Sequence, residues 1–99
     1  MLNINTEKNG NELTFKLSGR LDTVTAPELE APVRNDLSGV SDLIFDLKDL
    51  EYISSAGLRV LLLAQKTMNK QGKMVVKNVS EEINEIFEVT GFSDILTVE

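Results

Sequence analysis

Leu13, Phe15 and Leu17 alternate with Thr14, Lys16 and Ser18, the two-residue period of a strand with one buried face. Leu2, Ile4 and Thr6 repeat the alternation more weakly. Asn9-Gly10 between the two runs is a turn signal, so the spacing predicts an N-terminal antiparallel hairpin. Leu43-Ile44-Phe45-Asp46-Leu47 is almost continuously apolar, which predicts a central strand covered on both faces. Met74-Val75-Val76 is a shorter run of the same kind.

Helical periodicity fills the intervals. Thr25-Ala26-Pro27-Glu28 reads as a capping box with proline in the first turn. Pro32 then removes an interior hydrogen bond at a cost of roughly 3 kcal/mol, predicting a kink or a short initial turn. A second helix is expected from about Ala56 to Gln71. At about 100° per residue, Val60, Leu61, Ala64 and Met68 share its inner face, with Arg59, Lys66 and Lys70 opposite. A third helix follows Ser80, with Glu81 and Glu82 in its first turn and Ile83, Ile86 and Phe87 facing inward. Gly39, Gly72 and Gly91 each fall where a left-handed C-terminal cap is expected. The order strand, strand, helix, strand, helix, strand, helix predicts an α/β domain with a mixed sheet.

A chain of 99 residues makes one domain, residues 1–99. It has no apolar run long enough to span a bilayer and no signal-peptide pattern at Met1-Leu2-Asn3-Ile4-Asn5, so a cytoplasmic protein without membrane contact is expected. The absence of Cys excludes disulfides, thiolate nucleophiles and zinc-thiolate sites. The absence of His removes the commonest general base and any Ser-His-Asp triad. Carboxylates and lysines alone need strong burial or coupling to titrate near neutrality, so the chain reads as a binding module and not an enzyme. Neither cofactor nor metal is expected. The net charge of −6 and the scattered basic residues argue against a nucleic-acid partner and for a protein one.

One stretch carries more specific information: Phe45-Asp46-Leu47-Lys48-Asp49-Leu50-Glu51-Tyr52-Ile53-Ser54-Ser55-Ala56-Gly57-Leu58-Arg59-Val60-Leu61-Leu62. A buried strand leads into a short polar loop, two serines and a glycine-bearing helix start. This resembles the phosphorylation loop of the STAS domain, the fold of bacterial anti-sigma factor antagonists. In that family an aspartate-serine-serine/threonine-glycine-leucine run occupies this place, and its first serine is phosphorylated. Alignment on Gly57-Leu58 gives the phosphorylated position to Ser55. Ser54 stands where the family often has Asp, and Ala56 where it often has a second Ser or Thr. Upstream, Ser18-Gly19-Arg20-Leu21-Asp22 followed by Thr25-Ala26 resembles the family's glycine-x-leucine-aspartate segment, which sets Asp22 near Ser55. The resemblance covers essentially the whole chain.

Three other readings bear on these residues. A serine at a helix start is ordinarily an N-cap, a role that Ser54 can take while Ser55 remains the switch. Asp22 and Asp46 suggest the acidic metal pocket of a response-regulator receiver, but this chain is too short and opens with a hairpin. An acyl carrier protein is also small, acidic and serine-modified, yet it is helical, which the alternation at 13–17 and the apolar run at 43–47 contradict.

The resemblance implies a partner switch. In the family the unphosphorylated antagonist binds an anti-sigma factor that is also a serine/threonine kinase, which releases a sigma factor. Phosphorylation ends binding, and a phosphatase resets the cycle. ATP belongs to the partner, since no glycine-rich phosphate loop occurs here. The alternative within the fold is a STAS adaptor subunit of a lipid-transport ABC system or a stress-signalling assembly. Leu62 and Leu63 fall on the two flanks of the second helix, and the docking face is expected to comprise Ser55, Gly57, Arg59, Leu62 and Lys66.

Overall fold

The expected hairpin forms one side of a four-stranded sheet. In the computed structural model, which describes all residues from Met1 to Glu99, β1 (Leu2–Asn9) runs antiparallel to β2 (Glu12–Leu21). The turn is Gly10-Asn11, one residue later than its signal, and Gly10 adopts a left-handed φ of 63°. Helix α1 (Ala26–Asn35) leads to β3 (Asp42–Ile53), and α2 (Ser55–Met68) leads to β4 (Lys73–Lys77). Helix α3 (Glu81–Thr90) and a 3-10 turn (Phe92–Asp94) follow. The strand order is β1-β2-β3-β4, with β3 parallel to both neighbours, so the sheet is mixed. No helix is long and apolar enough to cross a membrane.

Burial alternates along the sheet. Leu13, Phe15 and Leu17 of β2, Leu43, Phe45 and Leu47 of β3, and Met74 and Val76 of β4 are all buried. The Phe15 and Phe45 rings lie 5.5 Å apart between adjacent strands. Between these positions Thr14, Ile44, Asp46 and Val75 are half-buried, and Lys16 and Lys77 are exposed. The core therefore lies on one face of β3, against the expectation that both faces are covered. The run reads as continuous because Ile44 sits on the open face, paired across the strands with Thr14 and Val75, where a β-branched residue suits the pleat.

The polar loop expected after Leu47 is a continuation of the same strand. Leu47, Leu50 and Ile53 are buried at intervals of three, whereas a flat strand turns a side chain inward every second residue. Two irregularities in the β2–β3 register absorb the difference. Lys16 and Ser18 pair with Asp46 and Asp49, and Gly19 and Arg20 pair with Leu50 and Tyr52, so β3 carries one extra residue at each place. A bulge at each keeps the apolar side chains on the core side and carries β3 to Ile53.

Helix α2 ends at Met68, three residues short of Gln71, and its C-cap is Asn69 in right-handed conformation. Gly72 is thus not a left-handed cap. Its requirement is space, because a Cβ there would collide with the Ser41 carbonyl, which accepts the Lys73 N–H at 2.9 Å. Gly39 is left-handed but belongs to the turn after α1, which already ends at Asn35. Gly91 is the left-handed cap expected of it, closing α3, and Ser80 opens that helix by accepting the Ile83 N–H. Pro32 lies within α1 without ending it, and the Asp36 N–H returns to the Pro32 carbonyl at 2.8 Å. On α2 the inner face comprises the expected Val60, Leu61, Ala64 and Met68, joined by Gly57, Leu58 and Gln65.

Candidate functional site

The ends of β2 and β3 and the starts of α1 and α2 meet at one place. The Ser54 N–H donates to the Leu21 carbonyl at 2.9 Å, tying the start of α2 to the end of β2. Ser54 is extended (φ −99°, ψ 176°), and its Oγ accepts the Gly57 N–H at a long 3.4 Å, so Ser54 is the N-cap. Ser55 is then the first helical residue and is exposed, and its hydroxyl has no hydrogen-bond partner within the chain. Ala56 is half-buried.

Gly57 is buried and faces the sheet. A Cβ there would lie 2.7 Å from Leu21 Cγ and 2.9 Å from Ile53 Cγ1. At about 100° per residue it stands about 200° round the helix from Ser55. Gly57 is therefore not part of an outward docking face, and its place in the motif is to let α2 approach the sheet. Ser55, Arg59, Leu62 and Lys66 do share a face, within about 60° of arc and over about 17 Å of helix. Arg59 and Lys66 are exposed and Leu62 is half-buried. Leu63 turns toward the core instead and lines a shallow groove with Val33, Leu37 and Thr67.

Asp22 organises the β2–α1 loop. Its Oδ1 accepts the N–H groups of Val24 (3.0 Å) and Thr25 (3.1 Å), and the Arg20 guanidinium approaches Oδ2 at 3.8 Å. The Thr25 N–H foremost, then the Thr25 hydroxyl, the Val24 N–H and Arg20, lower the Asp22 carboxyl below its ordinary value against some desolvation. Thr25 does not form the expected capping box. Its buried hydroxyl accepts the Asp22 N–H at 2.8 Å and shares its hydrogen between the Arg20 carbonyl (2.8 Å) and Asp22 Oδ1 (3.1 Å). The hydroxyl is committed to closing the loop and leaves α1 without a side-chain cap.

Asp46 lies away from this junction, mid-strand on the open sheet face. It accepts the Lys48 N–H at 3.1 Å and the Asn78 side-chain amide at 2.9 Å. The Asn78 bond, ahead of Lys48 and Lys16, lowers its carboxyl. Asp22 and Asp46 do not converge, and no three metal-ligating side chains cluster in the chain. Sequence reasoning missed a further pair. The Arg20 guanidinium lies 4.5 Å from the centre of the Tyr52 ring, and Val24 is 82% exposed on the adjacent loop. The Arg20–Tyr52 pairing depends on the second bulge, which no sequence period announces.

Residues 3–99 match the family described as the STAS domain. The anti-sigma-B factor antagonist of Staphylococcus aureus (strain NCTC 8325 / PS 47) is 35% identical over 101 residues, covering 98% of this chain and 92% of that protein. An anti-sigma factor antagonist from Mycobacterium paratuberculosis has the same fold, with a TM-score of 0.89 at 22% identity, covering 99% of this chain and 85% of that one. The Bacillus cell fate determinant SpoIIAA in its phosphorylated form gives a TM-score of 0.78 at 17% identity, covering 98% of this chain and 91% of that one.

Proposed function

This chain belongs to the STAS domain family, and from that premise we propose that it is an anti-sigma factor antagonist switched by phosphorylation of Ser55. The observation that carries the reading is the stripe on α2. An exposed serine hydroxyl stands at the helix start, in line with two unpaired cations and a half-buried leucine. The curated relative from Staphylococcus aureus is named for antagonism of an anti-sigma factor, and the Bacillus protein of the same fold has a phosphorylated form.

In the proposed cycle, the unphosphorylated chain docks on a cytoplasmic anti-sigma factor that is also a serine/threonine kinase. Arg59 and Lys66 orient an acidic partner surface and raise the on-rate of a protein whose own charge is −6. The Ser55 oxygen attacks the γ-phosphorus of ATP held by the partner, and ADP leaves. The proton passes to a base of the kinase, because this chain has no His and the Asp22 carboxylate is committed to its loop. The phosphate adds about −1.5 to −2 charges to the docking stripe. Every 1.4 kcal/mol of the resulting desolvation and repulsion weakens binding about tenfold. A phosphatase restores the hydroxyl. The chain acts by binding and not by catalysis.

The test is incubation with the cognate anti-sigma factor and Mg-ATP followed by peptide mapping. Phosphate on Ser55 is the expected result, and phosphate on Ser54 or Thr67 with none on Ser55 overturns the assignment. In calorimetric titration Ser55→Ala should bind and resist inactivation, while Ser55→Asp should bind more weakly. Equal affinities, with unchanged affinity for the phosphorylated protein, would remove the electrostatic account.

A further inference from the structure

We propose that Arg59 is the internal partner of a phosphate on Ser55, so that phosphorylation withdraws from the docking stripe the cation nearest the switch. The inference rests on the reading of Ser55 as the phosphoacceptor and concerns how that modification acts. Ser55 and Arg59 stand at positions i and i+4 of α2, both exposed. Residues so spaced are neighbours on a helix surface, with Cβ atoms about 5–6 Å apart. Helical side chains slant toward the N-terminus, so the long Arg59 side chain extends over the turn that Ser55 occupies. A guanidinium binds phosphate oxygens through paired N–H groups, a geometry suited to a phosphoserine one turn away.

Arg59 is free for this role. The ion pairs of the chain join Lys16 to Glu7, Arg20 to Asp22, Arg34 to Glu30 and Lys73 to Asp42, and Arg59 enters none of them. Other charges at this end include Glu28 in the first turn of α1, Glu51 near the end of β3, the Met1 ammonium beside the end of β2, and Arg20 with Asp22. Arg20 is already held by Asp22 and the Tyr52 ring. Lys66 lies about 17 Å along the helix from Ser55, beyond a direct pair. The first turn of α2 contains no acidic residue to compete for Arg59. One modification thus changes the stripe twice, adding an anion at Ser55 and engaging Arg59.

Phosphoserine installed at position 55 by genetic encoding tests the pair without any kinase. Phosphorus NMR titration reads the second ionisation of the phosphate, which for free phosphoserine lies near pH 6. Arg59→Gln should raise the midpoint by roughly 0.15–0.4 pH unit, because the pair favours the dianion. Arg59→Lys should recover part of that shift, and Arg20→Gln should leave the midpoint in place. Circular dichroism verifies the fold of each variant. Equal midpoints for the wild-type chain and Arg59→Gln overturn the proposal, as does a shift produced by Arg20→Gln alone. Failure of the kinase to modify Ser55 would remove the functional reading and leave this titration standing, so the two outcomes are separable.

Discussion

Gly57→Ala adds one methyl group where α2 meets the sheet. In an exposed helix interior this change stabilises by roughly 0.5–1 kcal/mol, since alanine gives up less backbone freedom on folding. Here the new carbon would lie 2.7 Å from Leu21 Cγ and 2.9 Å from Ile53 Cγ1. Both side chains are enclosed, at 0% and 2% exposure, and the nearest atom is a branch carbon and not a flexible tip. Overpacking a core by one methyl or methylene costs about 1–3 kcal/mol, and contacts this short belong in the upper half of that range. The net loss is then about 1–2 kcal/mol, which for a domain of this size lowers the melting temperature by about 5–15 °C. Scanning calorimetry measures the fall, and a double-mutant cycle identifies its cause. Leu21→Ala costs about 2–5 kcal/mol alone, but removes the nearest atoms that the added methyl would strike and leaves Ile53 Cγ1 as the remaining close contact. In that background Gly57→Ala should cost at least about 1 kcal/mol less than it does in the wild-type chain. A melting temperature at or above wild type for Gly57→Ala, or additivity within about 0.5 kcal/mol, would refute close approach as the role of this glycine.

Three further outcomes follow from the same junction. Ser54→Asp, which restores the residue common in the family, should raise the urea midpoint by an amount equivalent to about 0.5 kcal/mol. A carboxylate caps well and the first turn of α2 has no other acid, whereas Ser54→Ala should lose about 0.5–1 kcal/mol. The Asp22 carboxyl is lowered in the folded chain, so its contribution is present above the unfolded value near 3.9 and lost as pH falls through the folded value. Asp22→Asn should therefore be less stable than wild type at neutral pH and converge with it in strong acid, and a constant difference in urea midpoint across that range would contradict this. Arg59→Glu should slow association with the anti-sigma factor and flatten its salt dependence while leaving the melting temperature nearly unchanged. Wild-type kinetics at low salt in stopped-flow mixing would exclude the α2 stripe as the interface.

The parts of the fold legible in the sequence are those where a single period holds. Leu13, Phe15 and Leu17 announce a strand with one inner face, and Val60, Leu61, Ala64 and Met68 announce the buried side of α2. Legibility ended where the period changes within an element. Leu47, Leu50 and Ile53 lie three apart, a spacing that fits a strand only if bulges are inserted, and bulges depend on the register with β2. The same dependence hid the Arg20–Tyr52 contact. Ile44 misled for another reason. Hydrophobicity does not report which sheet face is covered, and a β-branched residue is at home on either. The N-terminus of α1 failed as a capping box because Thr25 has a competing partner, the loop held by Asp22.

Selection of one hydroxyl follows from these local choices. The β3–α2 junction offers two adjacent serines, of which alignment on Gly57-Leu58 gives Ser55 the switch position and leaves Ser54 to cap the helix. Ser54 is extended, its N–H is bound to the Leu21 carbonyl and its Oγ faces the Gly57 N–H, so it is occupied in holding the helix start. Ala56 replaces the hydroxyl that the family often carries there and is half-buried besides. Gly57 allows α2 to seat against Leu21 and Ile53, which fixes the rotation of the helix and with it the outward direction of Ser55. That same rotation sets Arg59, Leu62 and Lys66 in line behind the serine, since each is separated from the next by three or four residues. A shift of α2 by one residue position would turn the stripe by about 100°, carrying Ser55 away from the cations' outward face. In the proposed switch, the cap and the glycine contact act through geometry. They leave Ser55 as the free, exposed serine of the junction and align it with the surface that its phosphate would change.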